Sequence, residues 1–184
     1  MHTVPGLQLA APAAVTPADF AVGATGAPCP DPGRALRPAE LARIVGQTVA
    51  AGDWRQIVRF RDGQRWFQRL SLTADYEIWL LSWLPGQHTG FHDHGDAAGA
   101  FAVATGELRE SLASAGRRRV RHRIAPRGSV TRFGGQHLHE VGNVSAAPAV
   151  SVHAYSPPLS AMRRYEMTPS GLVLQRTERA EVDW

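Results

Sequence analysis

FHDHGDAAGAF, residues 91–101, carries two histidines one residue apart, then a run of small residues, then an apolar segment. Side chains at i and i+2 of a strand lie on one face. His92 and His94 can therefore aim both imidazoles at one point in space. A pair of this kind becomes a metal-ligand candidate when further donors converge on the same point.

Around this stretch the hydrophobic period is two. RWFQRLSL (65–72), DYEIWLLSWL (75–84), GAFAVATGELRE (99–110), RVRHRIA (119–125), SVTRFG (129–134) and AVSVHAYS (149–156) are short and rich in β-branched and aromatic residues. Gly, Pro, Asp and Asn separate them, as strand boundaries require. Many short strands without βαβ alternation specify a sandwich or barrel. Ahead of them, PAELARIVGQTVAAG (38–52) repeats Leu41, Ile44, Val45 and Thr48 at helical spacing. Pro38 suits the first turn of such a helix and Gly52 its end. The expected architecture is a short N-terminal helical region leading into one mainly β, antiparallel barrel, with a further strand or two after Tyr165. Residues 1–37, rich in Ala, Pro and Gly and without a lasting period, are expected to form a flexible arm, and residues 38–184 the domain.

The bulk numbers bound the function. A chain of 184 residues, 43% hydrophobic and 20% charged, is an ordinary globular protein with room for one sizeable core. It contains no apolar run near the roughly 20 residues that span a bilayer. The first residues, MHTVPGLQLAAPAAV, lack a basic region followed by a solid apolar one, so no secretory signal is expected. The single cysteine, Cys29, excludes an internal disulfide framework, fits a reducing cytoplasm and reads as a spectator thiol. The formal charge of +4 includes one dense stretch, GRRRVRHR at 116–123. No aromatic residue is interleaved with its arginines, as stacking on bases would want. It reads as a solvated hairpin edge rather than a nucleic-acid site.

Eight histidines are present, and His92, His94, His139 and His153 fall in strand or strand-edge contexts. Gly86-x5-His92-x-His94-x4-Gly99-x6-Gly106 resembles the first sequence motif of the cupins, and His139-Glu-Val-Gly-Asn143 resembles the end of their second. His137 does not fit, because Val141 stands four residues beyond it. Most cupins carry a metal-binding glutamate where this chain has Gly99. Without it, three neutral imidazoles would leave a divalent ion its full charge, which favours an anionic ligand from the substrate.

A narrower resemblance rests on Trp83-x8-His92-x-His94, on His139-x-Val-x-Asn143 and on Ser151-Val-His153-Ala-Tyr155-Ser-Pro-Pro158. Together these are similar to the cysteine dioxygenases, the thiol dioxygenase branch of the cupins, over residues 66–168. The resemblance implies a single cupin barrel (a double-stranded β-helix, jelly-roll-like) and one iron(II) ion, Fe(2+), held by His92, His94 and His139. It further implies that both atoms of O2 are added to the sulfur of a small thiol, cysteine by default, to give a sulfinic acid. Arg69 would hold the substrate carboxylate. Tyr155, beside the thiol and supported by His153 and Ser151, would form a relay. Ser156-Pro157 would be a cis bond.

The residues themselves place Ser151, His153 and Tyr155 on one strand face and Val150, Val152 and Ala154 on the other. A hydrogen-bonded core ladder is the alternative reading of that polar file. Family members selective for mercaptopropionate carry glutamine at the arginine position, and Gln68 adjoins Arg69, so register matters. The cysteine that crosslinks to the tyrosine in mammalian members corresponds to Gly99, and Cys29 is far from the match, so no such crosslink is expected. Ala97, Ala98, Gly99 and Ala100 make a wall expected to be roomy, which keeps 3-mercaptopropionate and ergothioneine open as substrates. A non-catalytic metal-binding cupin that senses a small ligand is a rival without a DNA-binding helical domain to support it. A metal-free sugar-modifying cupin is disfavoured by the three histidines. The expected setting is cytoplasmic, with no nucleic-acid or membrane partner, and oligomeric state is not legible.

Overall fold

Burial of both faces of two segments decides the layout. β2 (Glu77–Trp83) and β9 (Ala149–Ser156) are buried along their whole length, so each must be covered front and back. The computed structural model, which describes residues 35–179, covers one side with a helix and the other with a second sheet. The helices are α1 (Pro38–Ala51) and α2 (Trp54–Ile57). The remaining strands are β1 (Trp66–Leu72), β3 (Phe91–Asp93), β4 (Ala98–Thr105), β5 (Glu107–Leu112), β6 (Arg121–Pro126), β7 (Val130–Phe133), β8 (His139–Gly142), β10 (Ala161–Thr168) and β11 (Gly171–Arg179). One sheet runs β1-β2-β9-β4-β7 and the other β11-β10-β3-β8-β5-β6, with antiparallel pairing within each. This is the mainly β, jelly-roll-like barrel with a helical lead-in that the sequence predicts.

Helix α1 starts on Pro38, and Glu40 turns back to accept the Arg37 N–H at 2.8 Å. Its apolar stripe, Leu41 and Val45, packs with Leu80, Ala100, Val150 and Val152 on the outer face of the first sheet. The inner faces of the two sheets enclose a second cluster that includes Trp79, Trp83, Phe101, Leu108, Val141 and Met162. Burying a side chain of this size contributes about 1.5–3 kcal/mol, so the space between the sheets is held firmly. Register then places the polar file: Leu81 lies opposite Ser151, Trp79 opposite His153 and Glu77 opposite Tyr155.

The structure departs from the sequence reading in places that follow from chain geometry. Residues 99–110 do not make one strand. The chain breaks at Gly106, whose φ is +69°, and passes from the first sheet to the second there. Strands β3 and β8 have only three and four residues, too few to show a period. Of the expected arm, all but residues 35–37 lie outside the described residues, as does Cys29. Leu36 is buried, and its N–H donates to Ser156 Oγ at 2.8 Å. The Ser156-Pro157 bond is cis. No helix among the described residues is long and apolar enough to cross a membrane.

A Cβ at position 106 would meet the Pro148 carbonyl oxygen at 2.7 Å. Gly106→Ala is therefore expected to cost more than the roughly 1–2 kcal/mol of a left-handed backbone alone. A lowered denaturant midpoint at unchanged slope would report it. Gly134→Ala, at a glycine with nothing within 4 Å of the added carbon, should leave the midpoint in place.

Candidate metal centre

Strands β3 and β8 face each other through one pair, His92 opposite His139, and His94 follows directly after β3. All three are buried. One ring nitrogen from each lies within 4.8 Å of the others. His92 Nδ1 is 3.0 Å from the Gly90 carbonyl oxygen and His139 Nδ1 is 2.8 Å from Glu110 Oε1. Each Nδ1 is thus occupied as a donor, and Nε2 is the atom each ring can offer to an ion. Both ring nitrogens of His94 are buried without a hydrogen-bond partner. A buried orphan nitrogen is costly, and a cation between the three rings would satisfy one.

Electrostatics favour the same use. Burial first, then the neighbouring histidines, push His92 and His94 well below the ordinary 6.5. Burial also lowers His139, against the opposing pull of the Glu110 carboxylate. The rings are neutral at physiological pH, with lone pairs ready for a metal. An all-imidazole set suits zinc, copper, iron or nickel. These residues fit the divalent ion that the sequence resemblance implies.

The wall behind the histidines differs from expectation. His94 packs against both Phe133 and Tyr155 at shallow interplanar angles, with centroids 5.2 Å and 4.8 Å away. A Cβ at position 99 would lie 2.4 Å from the Phe133 ring and 3.1 Å from Tyr155. The space left by small residues is filled by Phe133, and the cavity beside His92 and His139 measures about 10 Å3, room for one water molecule. The roomy wall expected at Ala97–Ala100 is absent.

On β9 the polar file is continuous. Trp83 Nε1 donates to Ser151 Oγ at 2.9 Å, Ser151 Oγ is 2.8 Å from His153 Nε2, and the Tyr155 hydroxyl is 3.3 Å from His153 Nδ1. Burial drives His153 down to about 3 and holds the Tyr155 phenol well above its usual value. Both are neutral. His153 and Tyr155 line the same small cavity as His92 and His139.

Arg69 is not brought to that cavity. Pairing sets it opposite Trp79, with its guanidinium 5.4 Å from that ring and 3.8 Å from the buried carboxylate of Glu77. Arg65, just before β1, is there instead. Its guanidinium lies 4.8 Å from the Trp83 ring centroid, and its Nε is buried without a partner. Burial, then the charge of Arg164, lowers it from 12.5 to about 10. Arg164 reaches the cavity from β10, opposite His92, anchored by Glu178 at 2.7 Å and the Thr89 carbonyl at 3.2 Å.

Sequence reasoning also missed Glu110. It shares a strand face with Leu108, and an acid on an inward face was the available signal. Its Oε1 accepts from His139 and from His137 Nε2 at 2.9 Å, and its Oε2 is held by Arg123. His137 belongs to this group and not to the set with His92 and His94. Burial opposes the charge of Glu110, but the hydrogen bonds from His137 and His139 outweigh it and hold the carboxyl well below its usual range. Asn143, the end of the second motif, closes a turn: its Nδ2 donates to the carbonyls of Trp83 and Ala147 at 3.1 and 2.8 Å.

Comparison with known proteins agrees with this geometry. The family described as "Cysteine dioxygenase type I" matches residues 39–168. A protein named "Cysteine dioxygenase type 1" from Danio rerio is 30% identical over 125 residues, 62% of this chain and 62% of that one, so the chain spans less than two thirds of that relative's length. Among solved structures, TT1209 from Thermus thermophilus has a TM-score of 0.51 at 19% identity, covering 58% of this chain and 95% of its own. That likeness is one of fold. A double-stranded β-helix protein from Klebsiella pneumoniae gives 0.48 at 20% identity, over 66% and 93%.

Two outcomes are expected. Alanine at His92, His94 or His139 should each abolish metal retention, read by elemental analysis after desalting, while His137→Ala should keep the metal. In chelator-treated protein, the folded-state values of His92, His94, His139 and His153 lie below the unfolded 6.5. The unfolded chain then binds protons first. Stability should fall as pH drops below about 6.5, with His153 contributing down to about 3, measured as the denaturation midpoint against pH.

Proposed function

This chain belongs to the cysteine dioxygenase type I family, and from that premise we propose that it is a mononuclear non-haem iron(II) thiol dioxygenase. It adds both atoms of O2 to the sulfur of a small thiol acid, cysteine by default, giving a sulfinic acid: RSH + O2 → RSO2H. The observation that carries the reading is that His92, His139, His153, Tyr155 and Arg65, whose Nε is buried without a partner, line one cavity, with His94 clustered against the first two. His92, His94 and His139 would hold the ion. The chemistry iron supplies when bound is ionisation of the thiol and the one-electron steps that dioxygen needs to react.

The chain's own residues do the rest. Arg65 pairs with the substrate carboxylate, and its orphan Nε supports this over Arg69, which already meets Glu77. A guanidinium fork matches a carboxylate in shape and charge. Trp83 orders the polar file. Its indole N–H can only donate, so Ser151 accepts from it and spends its own hydrogen on His153 Nε2. Neutral His153 then carries its proton on Nδ1 and donates it to the Tyr155 oxygen. The phenolic hydrogen is thereby turned away from His153, towards the cavity, where it can hydrogen-bond oxygen or sulfur.

Oxygen uptake by the iron-loaded protein against cysteine, cysteamine, 3-mercaptopropionate and ergothioneine tests the reading. No uptake with any thiol would refute it. Arg65→Ala should remove roughly 2–5 kcal/mol of pairing, so kcat/KM for cysteine falls at least about thirtyfold while that for cysteamine, which has no carboxylate, hardly moves. Arg69→Ala should spare both. Tyr155→Phe should retain metal and fold but lose on the order of 10²–10⁴-fold in turnover.

A further inference from the structure

We infer that Glu110 is a positioning residue that delivers to the bound metal, through the ring of His139, the negative charge missing from position 99. A carboxylate cannot stand at position 99 itself, because the Phe133 ring occupies the space where its Cβ would be. The three candidate ligands are backed unequally. Behind His92 stands a neutral carbonyl, behind His94 no hydrogen-bond partner, and behind His139 an ionised carboxylate at 2.8 Å. A carboxylate on the far nitrogen of a ligating imidazole fixes its tautomer and raises its donor strength. Glu110 is fully buried, so water does not screen that effect.

The surroundings show how the charge is kept. Glu110 Oε1 takes hydrogen bonds from both His139 and His137, and Oε2 faces Arg123, which also reaches Thr131 Oγ1 at 3.2 Å. Glu110, His137 and His139 could be read as a second cation site, but these contacts engage both carboxylate oxygens and Arg123 brings a positive charge. The group is built to hold an anion behind His139. Arg123 partly offsets that anion from the exposed side of β6. The two residues should therefore act on the metal with opposite sign, which a purely structural role for either does not predict.

The inference rests on the metal-binding part of the proposed function and not on the reaction. Zinc affinity by chelator competition and the Fe(III)/Fe(II) potential by spectroelectrochemistry, on the full chain, test it. Glu110→Gln should weaken zinc binding by roughly 10–100-fold and raise the potential. Arg123→Met, a change at a half-exposed side chain, should strengthen binding by roughly twofold to fivefold and lower the potential. Unchanged affinity and potential in Glu110→Gln, or weakening in both variants, would overturn the inference. If Glu110→Gln does not fold, Arg123→Met decides alone, and no gain in affinity refutes the role. A wild-type chain that binds no metal sinks this inference together with the centre. One that binds metal but consumes no oxygen refutes only the reaction and leaves Glu110 to be decided by the affinities.

Discussion

Three uncharged imidazoles pressed together in a dry space are the constraint on which this molecule depends. A protonated ring among them would face two others at centroid distances near 5 Å with little water to screen the charge. The fold answers by burying each ring, which depresses its affinity for protons, and by pinning two of them through Nδ1. The third, His94, is held by flat contact with Phe133 and Tyr155. The barrel supplies the rigidity: helix α1 and the second sheet clamp β2 and β9 from both sides, so the three imidazoles and the polar file share one frame. Preorganised polar groups lose their effect when the surrounding shell is loose.

What could be read from the residues alone follows from how local each signal is. The helix over 38–51 announces itself by spacing, proline and glycine within fifteen residues. AVSVHAYS alternates apolar and polar from Val150 to Tyr155 and becomes β9 without change of bounds. Cluster formation by His92, His94 and His139 was accessible because motif spacing encodes it, even though β3 and β8 are too short to display a period. Glycine at position 106 gave no warning of a sheet change, since the Pro148 carbonyl oxygen that would meet a side chain there is distant in sequence.

Long-range matters were hidden. Several arginines crowd residues 55–69, and only strand pairing reveals that Arg65 swings onto Trp83 while Arg69 is spent on Glu77. Small side chains at 97–100 suggested open space, yet packing is decided by what comes to fill it, and Phe133 arrives from β7. Cores are close-packed, so an absence in one strand is usually a presence in another. Glu110 was missed for a related reason: a buried acid makes sense only beside the cations and imidazoles that the fold gathers around it.

The interlock of Gly99 with Phe133 has an evolutionary consequence. Position 99 faces Phe133 directly across the β4–β7 pair, and any side chain added there meets the aromatic ring first. A glutamate or a tyrosine-crosslinking cysteine at 99 would each arrive in a clash with the Phe133 ring. Residues in contact are coupled in this way, with effects that do not add. The two positions therefore form an epistatic gate: a lineage must shrink residue 133 before it can try a different ligand set or crosslink at 99. Until then the all-imidazole cluster is locked in by the neighbouring ring of Phe133.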